Sequence, residues 1–179
     1  HLGVMYLGKA SGISHCTYHL TEALCREAEV TCYLATQNDM VGQFEALPCR
    51  VRAFPMKRGF GPLLTAMLTG REHSGIAEAI LRDSPDVLLD TGSWWWRGVV
   101  VRRLARKVPV AEMVHDVTPH PGFMGALEKI HHVLYPSMAD AVISLSGHAH
   151  AELVRKYPRK YHIESRLGVL LPSLGISPD

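Results

Sequence analysis

The sequence predicts an α/β fold, a Rossmann-like parallel sheet with helices on both faces. Strand-like apolar runs alternate with helix-like stretches about six times along the chain, which is the pattern of parallel βαβ units. The first of these runs leads through a turn containing Gly8 and Gly12 directly into a helix. At 179 residues with 47% hydrophobic side chains, the chain is large enough to bury a core.

The first third of the chain predicts one βαβ unit. Residues 2–7 are a short apolar run, typical of a buried strand, and residues 13–28 repeat apolar side chains at helical spacing, with Ser14 as a candidate cap. Residues 30–36 are rich in β-branched and aromatic side chains and predict the second strand. The glycines of the turn either only allow it to be tight or let backbone N–H groups approach a phosphate, and their spacing does not decide between the two.

The rest of the chain continues the alternation. The further predicted strands are residues 50–54, 87–91, 110–114 and 141–145. The further predicted helical segments are residues 63–68, 76–81, 97–107, 124–135 and 148–157. A last apolar run, residues 163–171, breaks up at prolines and a glycine and is interpreted as the approach to an interdomain linker.

Composition limits the functional classes. The net charge of +2, from 19 basic and 17 acidic residues, gives no overall field for nucleic acid, so no nucleic-acid partner is expected. No two of the four cysteines have C-x-x-C spacing, so free buried thiols are favoured over zinc ligands and disulfides, which suggests a reducing cytosol. No run of about 18 apolar residues predicts a membrane span.

Polar and glycine residues follow several predicted strands where those strands end. Ligands of parallel sheets bind at this carboxyl edge. His115, beside Asp116, could hold a substrate hydroxyl or move a proton near neutral pH, or it could simply end a strand. Ser146 could bind an anion with the helix that follows it, or it could only cap that helix.

The predicted helix at residues 97–107 carries five cations and no acid: Arg97, Arg102, Arg103, Arg106 and Lys107. A solvated face is the ordinary interpretation of such a run. The alternative is contact with an anionic membrane surface or a phosphate-bearing acceptor.

Two common enzyme classes match poorly. A dinucleotide oxidoreductase needs G-x-G-x-x-G and an acid near the end of the second strand, and neither the glycine turn nor residues 36–39 fit this pattern. A serine hydrolase of the G-x-S-x-G type is disfavoured because Ser11 and Ser146 lack that context.

Taken together, the motifs resemble family 4 glycosyltransferases. Residues 2–8 and 11–24 look like their first strand, glycine loop and first helix, and Val114-His115-Asp116 with Pro119 is similar to their central His-Asp loop. Residues 140–158 are similar to the strand and helix that close their N-terminal domain, and residues 167–169 to the segment that leads into their second domain.

The resemblance implies half of a GT-B architecture, with residues 1–171 as a Rossmann-like, acceptor-side N-terminal domain and residues 172–179 as the start of a linker. The family's C-terminal, donor-binding domain lies outside these residues, so they are expected to be inactive alone. The implied reaction moves a sugar from a nucleoside-diphosphate sugar to a glycan or lipid-linked acceptor, with retention of configuration and with no metal and no cofactor.

A cytoplasmic protein is expected, with peripheral contact at the cytoplasmic membrane face as a further expectation. A non-catalytic Rossmann-like module that binds a nucleotide or a protein is the main alternative, and a sugar-nucleotide epimerase domain is the other.

By the same resemblance, site roles fall on nine further residues besides the His-Asp pair. Catalysis is assigned to His115 and Asp116. Ser11 stands where many members have another glycine. The donor phosphate would be met by Gly8, Ser11, Gly12 and Ile13, and the acceptor cleft would be lined by Ser14, Thr91, Ser93, His120 and Ser146.

Overall fold

The computed structural model describes residues 1–9, 12–56, 61, 65, 74–92, 97–115, 117 and 136–165. Within these residues, seven parallel strands form one sheet in the order β3-β2-β1-β4-β5-β6-β7. The strands are β1 Leu2–Tyr6, β2 Val30–Ala35, β3 Arg50–Phe54, β4 Val87–Asp90, β5 Val110–Val114, β6 Ala141–Ser144 and β7 Tyr161–Glu164. The helices are α1 Gly12–Leu24, α2 Val41–Glu45, α3 Ser74–Asp83, α4 Arg97–Leu104 and α5 Gly147–Lys156.

Strand β1 is where the chain changes direction across the sheet. Leu2 pairs with Val30 of β2 on one side and with Val87 of β4 on the other, and the later strands continue outward beyond β4. The connections after β1 and β4 therefore leave towards opposite sides, which opens a crevice at the carboxyl ends of these two strands. Leu7 and Gly8 follow β1 there, and Thr91 and Gly92 follow β4.

The two faces of the sheet carry different helices, as the alternation of β1 side chains requires. Val4 and Tyr6 belong to an apolar cluster that the α1 residues Ile13 and Tyr18 pack against. The opposite face, which includes Met5, packs against α3 and α4 through Ile76, Ile80, Val100 and Leu104. The predicted fold class is confirmed.

Three details differ from the sequence prediction. The run interpreted as the approach to a linker starts inside a seventh strand, Tyr161–Glu164, whose side chains are mostly exposed because it forms the sheet edge. The short helix α2 was not predicted. Ser14 does not cap α1, because the helix begins two residues earlier, at Gly12.

Three further sequence predictions concern the cysteines, a membrane span and the helix at residues 124–135. All four cysteines are free thiols, as predicted, but only Cys32 is buried and the other three are partly exposed. Among the described residues, no helix is long and apolar enough to cross a membrane. The predicted helix at residues 124–135 lies outside the described residues.

Candidate functional site

The ring of Tyr6 packs against the residues that follow β1 and β4. Tyr6 is 3% exposed, and its hydroxyl donates a hydrogen bond of 2.8 Å to the carbonyl oxygen of Lys9. A Cβ atom on Gly8 would lie 2.5 Å from the Tyr6 hydroxyl oxygen, and one on Gly92 would lie 2.9 Å from the ring. Packing against Tyr6 therefore accounts for glycine at position 8, one of the residues assigned to the donor phosphate.

Gly12 has a different environment. It is the exposed first residue of the 13-residue helix α1, and a Cβ atom added to it would meet nothing within 4 Å. The amide groups of the first helical turn carry partial positive charge and have no intrahelical acceptor. Gly12 and the half-buried Ile13 thus present an open, electropositive helix end at the crevice. Ser11 lies outside the described residues.

The buried side of α1 is polar where it meets the sheet. Ser14, Thr17 and Thr21 are at most 1% exposed. The sequence predicts Ser14 in the lining of the acceptor cleft, but its side chain is buried between α1 and the sheet. The Thr17 hydroxyl donates to the Ile13 carbonyl at 2.8 Å and lies 2.8 Å from the Thr91 hydroxyl. These contacts fasten α1 to the residue that follows β4.

Thr91 also supports His115. Its side chain is fully buried and its hydroxyl faces Thr17, so the side chain does not line a cleft either. Its carbonyl oxygen lies 3.0 Å from Nε2 of the half-buried His115. Because a carbonyl oxygen can only accept, Nε2 carries the proton and donates it, which fixes the plane of the imidazole. Asp116 lies outside the described residues.

Ser146 lies at the same edge, one strand beyond His115. Val114 pairs with Ser144, so the residues that follow β5 and β6 are neighbours. The exposed Ser146 side chain accepts a 3.2 Å hydrogen bond from the backbone N–H of Ala149 and is the N-cap of α5. Ser146 therefore caps α5, and its proposed contact with a ligand stays a prediction. Ser93 and His120 lie outside the described residues.

A buried ionic cluster beneath this edge was missed. Asp90, Arg97 and Glu112 are each at most 5% exposed. The guanidinium of Arg97 has Nε 3.3 Å from an Asp90 carboxylate oxygen, forms an ion pair with Glu112, and donates to the Gly92 carbonyl. Arg97 therefore does not belong to a solvated or membrane-facing basic surface, whereas Arg102, Arg103, Arg106 and Lys107 are exposed.

One cation between two buried acids leaves an excess of negative charge. Burial raises the pKa of Glu112 to about 7, although Arg97 opposes that change, and burial likewise raises the pKa of Asp90. A signal for the cluster was in the sequence: Glu112 interrupts an apolar strand, and an acid at such a place needs a buried cation nearby. Arg97, the first residue of the next helix after Asp90, is that cation.

Comparison with known proteins identifies the family. A family model described as "Glycosyl transferase 4-like domain" matches residues 11–164. The chain belongs to this family. The match runs from the start of α1 to the end of β7, so this glycosyl transferase 4-like domain contains His115, Thr91 and Ser146 within the matched residues.

Solved structures show the same fold. HepE from Anabaena, in complex with UDP and glucose, matches with a TM-score of 0.64 at 13% identity, over 93% of this chain and 44% of that one. MurG from Acinetobacter baumannii matches with a TM-score of 0.56 at 12% identity, over 92% and 45% of the two chains. UDP-N-acetylglucosamine 2-epimerase from Rickettsia bellii matches with a TM-score of 0.62 at 14% identity, over 99% and 51%.

These identities are low, so the likeness shows the fold alone. The glycosyl transferase 4-like domain spans about half the length of the three solved structures. A search of curated protein sequences returned no match to the chain.

Proposed function

We propose that the chain is the acceptor-side, N-terminal domain of a retaining glycosyltransferase, which moves a sugar from a nucleoside-diphosphate sugar to a glycan or lipid-linked acceptor. One observation carries the proposal: the family match over residues 11–164 includes α1 and the ends of β4 and β5, the elements that carry Gly12, Thr91 and His115. The partial coverage of HepE and MurG, 44% and 45% of their chains, supports a longer protein with a further domain.

The donor diphosphate is assigned to the N-terminus of α1. Its first amides can donate to phosphate oxygens, and the open space at Gly12 allows the backbone to be approached closely. The exposed Lys9, on the turn between Tyr6 and α1, adds a cation that the sequence analysis did not assign. As the leaving diphosphate gains charge, these donors stabilise it without having to reorient. Ser11 and Ile13 belong to the same proposed contact.

The transferred sugar is assigned to His115, with Asp116 as its proposed catalytic partner. The hydrogen bond to Thr91 holds the imidazole at the carboxyl edge of the sheet, where the acceptor side of the crevice would begin. Ser93, His120 and Ser146 remain proposed contacts of the acceptor. Catalysis in this proposal uses no metal and no cofactor beyond the sugar nucleotide.

Two partners complete the proposal. A C-terminal domain of the same protein would hold the nucleotide. The exposed side chains of Arg102, Arg103 and Arg106 on and after α4 would approach anionic lipid at the cytoplasmic face of a membrane, each contributing about 1 kcal/mol near such a surface.

A second candidate follows from the epimerase structure. The same fold occurs in UDP-N-acetylglucosamine 2-epimerase from Rickettsia bellii, so a sugar-nucleotide epimerase uses this architecture as well. A third candidate, a binding module without catalysis, would use the α1 end for a nucleotide or a protein. Only a transferase consumes its sugar nucleotide in proportion to an added acceptor.

The test is a donor panel on the full-length protein. UDP-, GDP- and ADP-sugars are titrated by calorimetry, and nucleoside-diphosphate release is followed with and without a lipid or glycan acceptor. We expect one donor class to bind, release to depend on the acceptor, and the His115→Ala variant to bind the donor but lose transfer. His19→Ala, on the outer part of α1, is the matched control. Donor binding without acceptor-dependent release would refute the transferase.

A further inference from the structure

Three of the four cysteines meet at the edge of the sheet opposite the crevice. Cys25 directly follows α1, Cys32 lies on β2, and Cys49 immediately precedes β3. All three pack in the apolar layer between α1 and the sheet. The Sγ atoms of Cys32 and Cys49 are 3.8 Å apart. Cys16 lies nine residues before Cys25, about 13 Å further along the helix axis.

The three thiols are not equivalent. Cys32 is fully buried, whereas Cys25 and Cys49 are partly exposed. Hydrogen bonds from Cys32 and Cys25 lower the pKa of Cys49 to about 7, while burial and the Cys49 sulfur raise the pKa of Cys25 to about 11. Hydrogen bonding to Cys49, together with burial, raises the pKa of Cys32. Of the three thiols, Cys49 therefore ionises most readily. When its sulfur is protonated, it donates to the Phe44 carbonyl, 3.6 Å away.

A partly exposed thiolate in contact with a buried thiol is the arrangement of a reactive and a resolving cysteine. We propose that Cys49 and Cys32 form a hydroperoxide-reactive dithiol site, in which Cys49 is oxidised first and Cys32 resolves it as an intramolecular disulfide. This site is independent of the proposed glycosyl transfer, because it lies at the other end of the strands.

The chemistry takes two steps. The Cys49 thiolate attacks the terminal oxygen of the hydroperoxide, the S–O bond forms, the O–O bond breaks, and the departing alkoxide or hydroxide takes a proton. The Cys32 sulfur then attacks the Cys49 sulfenic acid, the S–S bond forms, and the hydroxyl group leaves as water with the Cys32 proton. Two thiols have lost two electrons in total, and one hydroperoxide has been reduced to an alcohol and water.

The fold selects Cys32 as the resolving partner. Thr31 pairs with Arg50, so the chain at Cys49 is held beside β2 at the place where β3 begins. The two sulfur atoms have to approach by only about 1.8 Å to reach the disulfide bond length of about 2.05 Å. Because Cys32 is enclosed by the core, it can reach Cys49 but not a thiol of another molecule.

The test maps the oxidised cysteines. Reduced full-length protein is treated with one equivalent of hydrogen peroxide, quenched in acid, digested without reductant and examined by mass spectrometry. We expect a peptide cross-linked between Cys32 and Cys49 that is lighter by two hydrogens. In Cys32→Ser, whose hydroxyl can still donate to Cys49 but cannot form a disulfide, dimedone should label Cys49 at least about tenfold more than Cys16, because the sulfenic acid has lost its partner.

Controls decide between this site and general oxidation. Cys49→Ser should abolish the cross-link, and Cys16→Ser should leave it unchanged. A main product that joins Cys25 to Cys49, or preferential oxidation of Cys16, would overturn the proposal. If Cys32→Ser fails to fold, the cross-link map of the wild-type protein decides the matter without any variant.

Discussion

His115 and Thr91 are joined by a hydrogen bond of 3.0 Å from the imidazole Nε2 to the backbone carbonyl oxygen. The bond ties the end of β5 to the end of β4. Thr91 is held in turn by its hydroxyl contact of 2.8 Å with Thr17 of α1. One residue thus positions both the imidazole and the helix that begins at Gly12, which are the two groups assigned to the sugar and to the diphosphate.

Two replacements of His115 should distinguish the role of its imidazole in sugar transfer from the role of its hydrogen bond to Thr91. We expect His115→Ala to lower kcat for sugar transfer in the full-length protein by about a hundredfold or more, since proton-handling groups contribute on that scale. In His115→Gln, the side-chain amide can still donate to Thr91, so the fold should be kept while the imidazole chemistry is lost. Steady-state kinetics and urea unfolding measure both effects. Full activity of His115→Gln would show that the hydrogen bond, and not the imidazole, is what matters.

The two glycines of the turn should respond in opposite ways to alanine. Gly8→Ala should lower the free energy of unfolding by about 1–3 kcal/mol, because the new Cβ overlaps the Tyr6 ring. Gly12→Ala meets no atom, and alanine favours a helix, so stability should be unchanged or higher by up to about 1 kcal/mol. The Kd of Gly12→Ala for the sugar nucleotide should nevertheless rise, because the added methyl group occupies the space through which the diphosphate would approach the backbone. Calorimetric titration with the sugar nucleotide tests this, and an unchanged Kd for Gly12→Ala would contradict diphosphate binding at α1.

The buried acids should make stability depend on pH. The pKa of Glu112 rises from 4.5 to about 7 on folding, so between these values the folded state binds the extra proton. The contribution of Glu112 to the free energy of unfolding is therefore largest below pH 4.5 and is lost as the pH rises towards 7, and the raised pKa of Asp90 acts in the same direction. Urea unfolding at several pH values should show that, as the pH rises towards 7, the free energy of unfolding declines less in Glu112→Gln than in the wild type. Glu78→Gln, at an exposed position on α3, serves as the control.

Arg106 offers a stabilising substitution. It follows α4 with a φ of 64°, in the left-handed region that an arginine adopts at a cost of about 1–2 kcal/mol. Arg106→Gly should raise the free energy of unfolding by about 1 kcal/mol, because glycine reaches this conformation without strain. Arg102→Gly, inside the same helix, should instead lower it by about 1 kcal/mol. Thermal unfolding of the two variants checks the contrast, and a loss of stability in both would argue against strain at Arg106.

The central strands could be predicted from sequence because they are buried on both faces and are therefore mostly apolar, as is β2, whose six residues are all buried. Strand β7 could not be predicted in the same way. It forms the sheet edge, where Tyr161, Ile163 and Glu164 are exposed, so its residues carry no strong pattern.

The site was harder to predict than the fold. The sequence placed His115 and Thr91 at one edge, but it could not show that Thr91 acts through its carbonyl or that Gly8 is required by a tyrosine two residues earlier. Arg97 was grouped with its basic neighbours because adjacency in sequence hides which face of a helix a side chain occupies. Its burial depends on Asp90 and Glu112, which come from two different strands.

The most direct test of the account follows the sugar itself. The full-length protein is incubated with the donor that binds and with an acceptor, and the anomeric configuration of the product is read by NMR. We expect a glycosylated acceptor whose new bond has the configuration of the donor, formed only when His115 is present. An epimerised sugar nucleotide without any glycosylated acceptor, or a product of inverted configuration, would contradict it.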